Sequence, residues 1–218
     1  MSKVTEKKLI DNKVLNYDPG EIDFLLLSKS KKSISDNDYF DFVILSQNCG
    51  FFYRQSLHLY GHSSVNQFND IHHINSLLQN EFGEIITGLF SFGQDLFGNQ
   101  FCFDIEKGGI VFFCSETGER EIISSGFSDW INLLHEKLEY FTGMNTLQSW
   151  ILNNEFYFNQ RLYPAIPFIM GGEYKINNLF ASALPDYLKA YANITRQVDN
   201  LPDGTPVKLN IIKNNPSV

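Results

Sequence analysis

Between Ile85 and Ser124 the sequence alternates in steps of two and is broken by short polar clusters: GLFSFG, NQFCFDIE, GIVFFCSE and EREIIS. Successive side chains of a strand point to opposite faces, and breaks rich in Gly, Asp and Asn mark turns. Four strands joined this closely predict an antiparallel meander. EKGG (106–109) and ETGE (116–119) are hairpin signals, because glycine supplies positive φ where other residues are strained. A three-residue loop centred on Gly108 sets Phe103 against Phe113, Ile105 against Val111 and Cys102 against Cys114. Phe101, Phe103, Ile105, Val111 and Phe113 then line one face.

Around this block the pattern turns helical. SDNDYFDFVILSQNCG (35–50) offers Ser35 or Asp36 as a cap, Asp38 in the first turn, Tyr39, Phe42, Val43 and Leu45 as a buried stripe, and Gly50 as a stop. Before it, Phe24–Leu27 reads as a short apolar strand and the Lys- and Ser-rich 25–35 as a solvated turn. Leu57 and Leu59 alternate with His58 and Tyr60, as in a half-buried strand. A helix is predicted over 69–80 with Ile71, Ile74 and Leu78 inward. FSDWINLLHEKLEYFTG gives the clearest helix, capped by Ser128, with Trp130, Ile131, Leu134, Leu138 and Phe141 at spacings of three and four and Gly143 as its end. A short helix follows near Trp150, then a Pro- and Gly-rich loop and short-strand segment over 161–180. A last helix starts at Pro185 with Tyr187, Leu188, Tyr191, Ile194 and Val198 inward. Pro202–Gly204 reads as a turn into a strand carrying Val207, Leu209 and Ile211.

Charge narrows the partners. The 218 residues carry a formal charge of −8, but residues 36–139 alone hold 15 Asp or Glu against 4 Lys or Arg. Such a field repels phosphate backbones and anionic lipid and attracts a basic protein, so direct nucleic-acid and membrane binding are disfavoured. MSKVTEKKLI has no apolar run behind its lysines, and no stretch approaches bilayer length, so a cytoplasmic protein is expected. Three scattered cysteines suit neither a disulfide framework nor a metal site.

Catalytic and metal motifs are missing: there is no HExxH, GxSxG, Walker loop or GxGxxG. His72 and His73, adjacent on a helix, diverge by about 100°. His58 and His62 lie about 13 Å apart on an extended chain. His135 is expected to be solvated. Cys102 and Cys114 stand among Phe, Asp and Glu, which disfavours a thiolate, so they read as buried hydrophobes. Asp95 and Asp104 could pair as acid and base, yet Asp104 has no obvious histidine or nucleophile nearby, and Asp95, Gly98 and Asn99 have the side chains of a turn. GGEY (171–174) reads as a bend. No catalytic, cofactor or metal residues are assigned.

The succession DYFDFVILSQNCGFFYRQSLHLYG, FSFGQDLFGNQFCFDIEKGGIVFFCSETGE, FSDWINLL resembles the SUKH superfamily (Smi/Knr type), which includes the yeast cell-wall assembly regulator and many bacterial immunity proteins. Asn48, Cys49 and Gly50 stand for its Asn-Gly-Gly-like turn, with Cys49 departing from Gly. Asp95, Gly98 and Asn99 match its Asp-x-x-Gly-Asn turn, and Trp130 its helix tryptophan. RLYPAIPFIMGGEYKINNLF and LPDG are similar to an extension of one bacterial branch. The resemblance implies an α+β fold, a mostly antiparallel central sheet with helices packed on it. It also implies one domain over 1–218, with 20–142 as the core and 143–218 as a C-terminal extension, and no cofactor.

Members of the bacterial branch are cytosolic antidotes that bind a cognate secreted toxin and block its active site. The acidic centre would suit a basic toxin such as a nuclease. Loops carry binding, so Asp95, Glu106, Glu116, Glu119 and Glu121 are the candidate exposed contacts. A scaffold or regulatory adaptor of the same fold is the alternative. A hydrolase relying on Asp95 or Asp104 is the third reading.

Overall fold

A computed structural model describes residues 2–199, 201, 205 and 208. The turn expected at Pro202–Gly204 and the strand carrying Val207, Leu209 and Ile211 lie outside the described residues. In chain order the elements are α1 (Ser2–Ile10), α2 (Phe24–Ser30), α3 (Asn37–Leu45), β1 (Gly50–Phe52), β2 (Leu57–Leu59), α4 (Ile71–Phe82), β3 (Leu89–Gln94), β4 (Gln100–Asp104), β5 (Ile110–Phe113) and β6 (Arg120–Ser124). Then come α5 (Phe127–Glu136), α6 (Leu138–Thr142), α7 (Met144–Trp150), β7 (Gln160–Pro164), β8 (Leu179–Ala183) and α8 (Asp186–Val198). The chain is therefore α+β: β1 to β6 form one antiparallel sheet in sequence order, and β7 pairs with β8 in a separate ribbon.

The meander has the expected strands but a different register. Phe101 pairs with Phe112, Cys102 with Val111 and Phe103 with Ile110. The cause is the loop. Asp104 Oδ1 accepts from Glu106 N (3.0 Å) and Lys107 N (2.8 Å), and Asp104 and Gly109 close the turn through their backbones, so four residues rather than three lie between them. Relative to the expected pairing the strands are offset by an odd number of residues, which moves one partner set to the opposite face. Val111 and Phe113 leave the face of Phe101 and Phe103, Ile110 and Phe112 replace them, and Ile105 is exposed. Cys102 does not meet Cys114.

Helices cover both faces. On one, Trp130 is fully buried, edge-on to Phe92 (5.0 Å) and Phe101 (5.2 Å) and stacked on Phe127 (5.3 Å). Each such pair contributes about 0.5–1.5 kcal/mol beyond area burial. On the other, Phe82 of α4 meets Phe113 edge-on at 5.4 Å. There α8 adds Tyr187, Leu188, Tyr191 and Ala192 to the same core. Polar groups on that face are paired: Gln100 Oε1 accepts from Tyr60 and Ser91 (both 2.9 Å), and Gln94 Oε1 accepts from Tyr187 (2.9 Å).

Several local expectations change. Phe24–Leu27 is helical, because the Asp23 carboxylate accepts from Leu25 N and Leu26 N and starts α2. Asp36 caps α3 as expected, but Leu45 is exposed, and the helix ends there, ahead of a left-handed run through Gln47, Asn48 and Cys49. β2 is buried on both sides because Phe51 stacks on His58 at 4.0 Å, with Tyr17 and Phe158 packed around Phe51. Ser128 does not cap α5. Asp36 Oδ2, reaching from α3, takes Phe127 N instead (2.8 Å). The long helix breaks at Lys137, dividing α5 from α6. His135 is bonded rather than solvated, through Nδ1 to Tyr53 Oη (3.1 Å) and Nε2 to Thr5 O (3.0 Å), which joins α1 to α5.

Candidate functional site

The Asp95–Asn99 turn is a closed device. Asp95 Oδ1 accepts from Phe97 N (2.8 Å) and Asn99 N (2.9 Å), and Oδ2 from Asn99 Nδ2 (2.8 Å). Gly98 has φ +80°, and a Cβ there would sit 3.1 Å from the Tyr187 ring, so a larger residue is both strained and crowded. The turn is held from two sides, by Leu96 N to Thr142 O and Leu162 N to Leu96 O. Asp95 is therefore buried, not exposed, and burial raises its carboxyl to about 6 against the pull of the Asn99 and Phe97 donors.

Beside the turn lies a groove of about 480 Å³ whose lining includes Phe97, Phe112, Glu119, Glu121, Glu139, Tyr140 and Tyr174, with no Lys, Arg or His among the described residues. Each wall follows from the fold. Phe112 stands on the α5 face of β5, 5.5 Å from Phe141 and 6.3 Å from Tyr140. Glu121 is its cross-strand partner on β6. The break at Lys137 starts α6 and so sets Glu139 and Tyr140, and Glu139 Oε2 accepts from Asn145 N (2.7 Å). Tyr174 closes the far side, stacked on Phe168 at 3.7 Å and edge-on to Phe97 at 5.6 Å. Burial, helped by Cys114 and nearby carboxylates, pushes the Tyr174 hydroxyl up to about 12. Burial and then Glu121 raise Tyr140 as well. The groove is thus a negative trough with aromatic walls, whose field favours a cation and whose rings offer faces to one.

Of the five candidate contacts, the structure brings Asp95, Glu119 and Glu121 to this groove. Glu119 and Glu121 are exposed on its rim. Glu106 is exposed too, but at the opposite end of the β4–β5 hairpin. Glu116 is a correction: it is buried, its Oε1 accepts from Ile169 N (2.6 Å), and burial raises its carboxyl, so it anchors the C-terminal segment. Glu139, Tyr140 and Tyr174 were not singled out from sequence. The one signal for the first two was a Glu-Tyr pair on the polar side of a strong helix, and Tyr174 has none.

Asn48 and Gly50 hold the other end of the sheet. Asn48 Oδ1 accepts from His62 N (2.7 Å), and Nδ2 donates to Gly20 O (2.9 Å), Glu21 O (3.2 Å) and His62 O (3.3 Å). Gly50, at φ +103°, starts β1.

A serine between two histidines also occurs: Ser30 Oγ lies 2.9 Å from His62 Nε2 and 3.1 Å from His72 Nε2. Ser30 and His62 are both inaccessible, and burial lowers His62 to about 4, so this cluster fastens α2 to α4 and to the stretch after β2 and gives no substrate a path. Burial pushes the Cys49 and Cys102 thiols up to about 12, as inert core thiols require. Among the described residues no group of three or more His, Cys, Asp or Glu could hold a metal, and no helix is long and apolar enough to cross a membrane.

No curated protein sequence matches the chain. Among solved structures, the crystal structure of Atu4351 from Agrobacterium tumefaciens is similar over 88% of each chain, with a TM-score of 0.61 at 13% identity, a likeness of fold. A model of the SMI1 / KNR4 family (SUKH-1) matches residues 23–133. That span runs from the cap of α2 to the tryptophan helix and takes in the Asn48 turn, the meander and the Asp95 turn, while Glu139, Tyr140 and Tyr174 fall beyond it. The chain belongs to the SMI1 / KNR4 (SUKH-1) family.

Proposed function

We propose that the chain is a non-enzymatic immunity protein that, in the cytosol, binds a cognate secreted toxin and occludes its active site, with the Glu119–Glu121–Glu139 groove as the main contact. Family membership is consistent with this reading. The observation that carries it is the groove itself: exposed carboxylates and aromatic rings converge on one concavity that, among the described residues, no cation lines. Opposite charge raises the rate of encounter, and aromatic side chains supply contact area at little entropic cost. A toxin with a basic cleft, such as a nuclease, is the partner this chemistry favours. The same reading treats 1–218 as one domain, since α8 contributes to the core beneath the meander.

Co-purification with the product of the adjacent gene is the test. A stable pair that weakens at least tenfold in the Glu121→Lys, Glu139→Lys double variant supports the proposal. A pair indifferent to both charges, or turnover of a small molecule by the purified chain alone, refutes it.

A further inference from the structure

Arg161, in β7, is buried to 1% exposure. Its Nη1 donates to Gln160 O at 2.5 Å, while Nε and Nη2 have no partner. The Phe51 ring lies 5.3 Å from the guanidinium carbon. The groups in electrostatic reach are Tyr187, Tyr60, Asp95 and Tyr17. Tyr187 and Tyr60 donate to Gln94 and Gln100, the Asp95 oxygens accept from Phe97 N, Asn99 N and Asn99 Nδ2, and none of these groups comes within hydrogen-bond distance of Nε or Nη2. Tyr17 Oη accepts from Asn66 Nδ2 (3.1 Å) and keeps its proton to give. His58, stacked on the same Phe51 ring, is kept neutral by burial first and then by Arg161. The one ion pair among the described residues is Lys175–Glu173, so none of their carboxylates pairs directly with Arg161, and Asp95 acts on it only from beyond ion-pair distance.

A buried cation with two unmet donors is strongly unfavourable. The unmet pair is also specific. Nε–H and Nη2–H lie on one edge of the guanidinium and point in parallel, the fork that matches two oxygens of a single planar anion. Nη1, on the other side, is already used. We propose that this edge holds a small free carboxylate of formate or acetate size, enclosed between β7, β1 and the Asp95 turn as the chain folds. Occupancy would add a tie between the C-terminal segment and the family core beside those made by Leu162 and Ile169.

The test uses the full chain. Its thermal midpoint is followed against acetate and formate, with chloride and phosphate at matched ionic strength and pH 7. A ligand bound only to the folded state lowers the unfolding constant about 11-fold at ten times its Kd. The expected result is a saturable rise with acetate or formate in the wild type, little response to chloride, and no rise in Arg161→Met. If that variant does not fold, Arg161→Lys, which lacks the fork, is compared, and saturation-transfer NMR on ¹³C-acetate reads binding by the wild type directly. Three results overturn the proposal: equal shifts in wild type and variant, equal response to chloride, or a high-resolution crystal structure with water alone against Nε and Nη2.

Discussion

Replacing Asn48 by alanine removes a side chain that is 1% exposed and binds two separate stretches of backbone, Gly20–Glu21 and His62. The His62 N–H, in a residue of 0% exposure, loses its 2.7 Å acceptor, and an unmet buried donor costs about 1–3 kcal/mol. The Gly20, Glu21 and His62 carbonyls share the lost amide donor, worth about 1 kcal/mol net. The backbone at φ +69° tolerates Asn better than Ala, which adds about 1 kcal/mol. The sum is roughly 3–5 kcal/mol, and with a urea slope of about 2–3 kcal/mol per molar the midpoint falls by more than about 1 M. Urea titrations followed by circular dichroism make the comparison. Asn48→Gly should recover about 1 kcal/mol over alanine, because glycine accepts the left-handed backbone but makes none of the bonds. Asn48→Asp keeps an acceptor for His62 but points an oxygen at three carbonyls, so it should also be destabilised. An alanine variant within about 0.2 M of the wild type, or a glycine variant weaker than alanine, would refute the reasoning.

Gly98→Ala must hold φ +80° and place its Cβ 3.1 Å from Tyr187, so it should lose about 2 kcal/mol in the same titration, while Gly108→Ala, at φ +80° with open space around it, should lose only the backbone share. Asp95 should titrate near 6 by carboxyl ¹³C NMR. Because this lies above the unfolded value of about 3.9, the stability linked to Asp95 is present below about pH 4 and is lost as pH rises through 6, by roughly 2–3 kcal/mol. A midpoint near 4, or a stability rising over that window through this residue, would contradict the burial argument. Glu119→Gln with Glu121→Gln should slow association with the partner several-fold at low salt and much less at high salt. A salt-independent loss would assign these residues to direct contact rather than steering.

Where local pattern and tertiary environment agree, the elements were legible. The meander, α4, α5 and α8 carry long periodic stripes, and the Asp95 turn is written in its own side chains. Phe24–Leu27 reads as a strand in sequence but forms a helix, because a short apolar run fits either and Asp23 decides between them through a cap. The β4–β5 register could not be read without knowing that Asp104 gathers Glu106 and Lys107 into a longer loop. The His58 face of β2 has the alternation of a solvated edge, but Phe51 stacks on His58, and Tyr17 and Phe158, distant in sequence, close around that pair. The site divides in the same way. Glu119 and Glu121 follow from acidic loops beside a sheet. Asp95 and Glu116 look identical to them in sequence, but Thr142, Leu162 and Ile169 close over those positions. Tyr174 joins the groove through a stack on Phe168 that no periodicity encodes. Arg161, a lone cation in an apolar stretch, offered one faint sign of a special environment.

Hydrogen exchange of the chain, free and bound to the adjacent gene's product, tests the central claim most directly. The account predicts new protection over residues 112–121, 139–146 and 174, with the Asn48 end of the sheet and the Glu106 loop unchanged. Protection confined to that other end, with the groove amides exchanging as in the free protein, would contradict it.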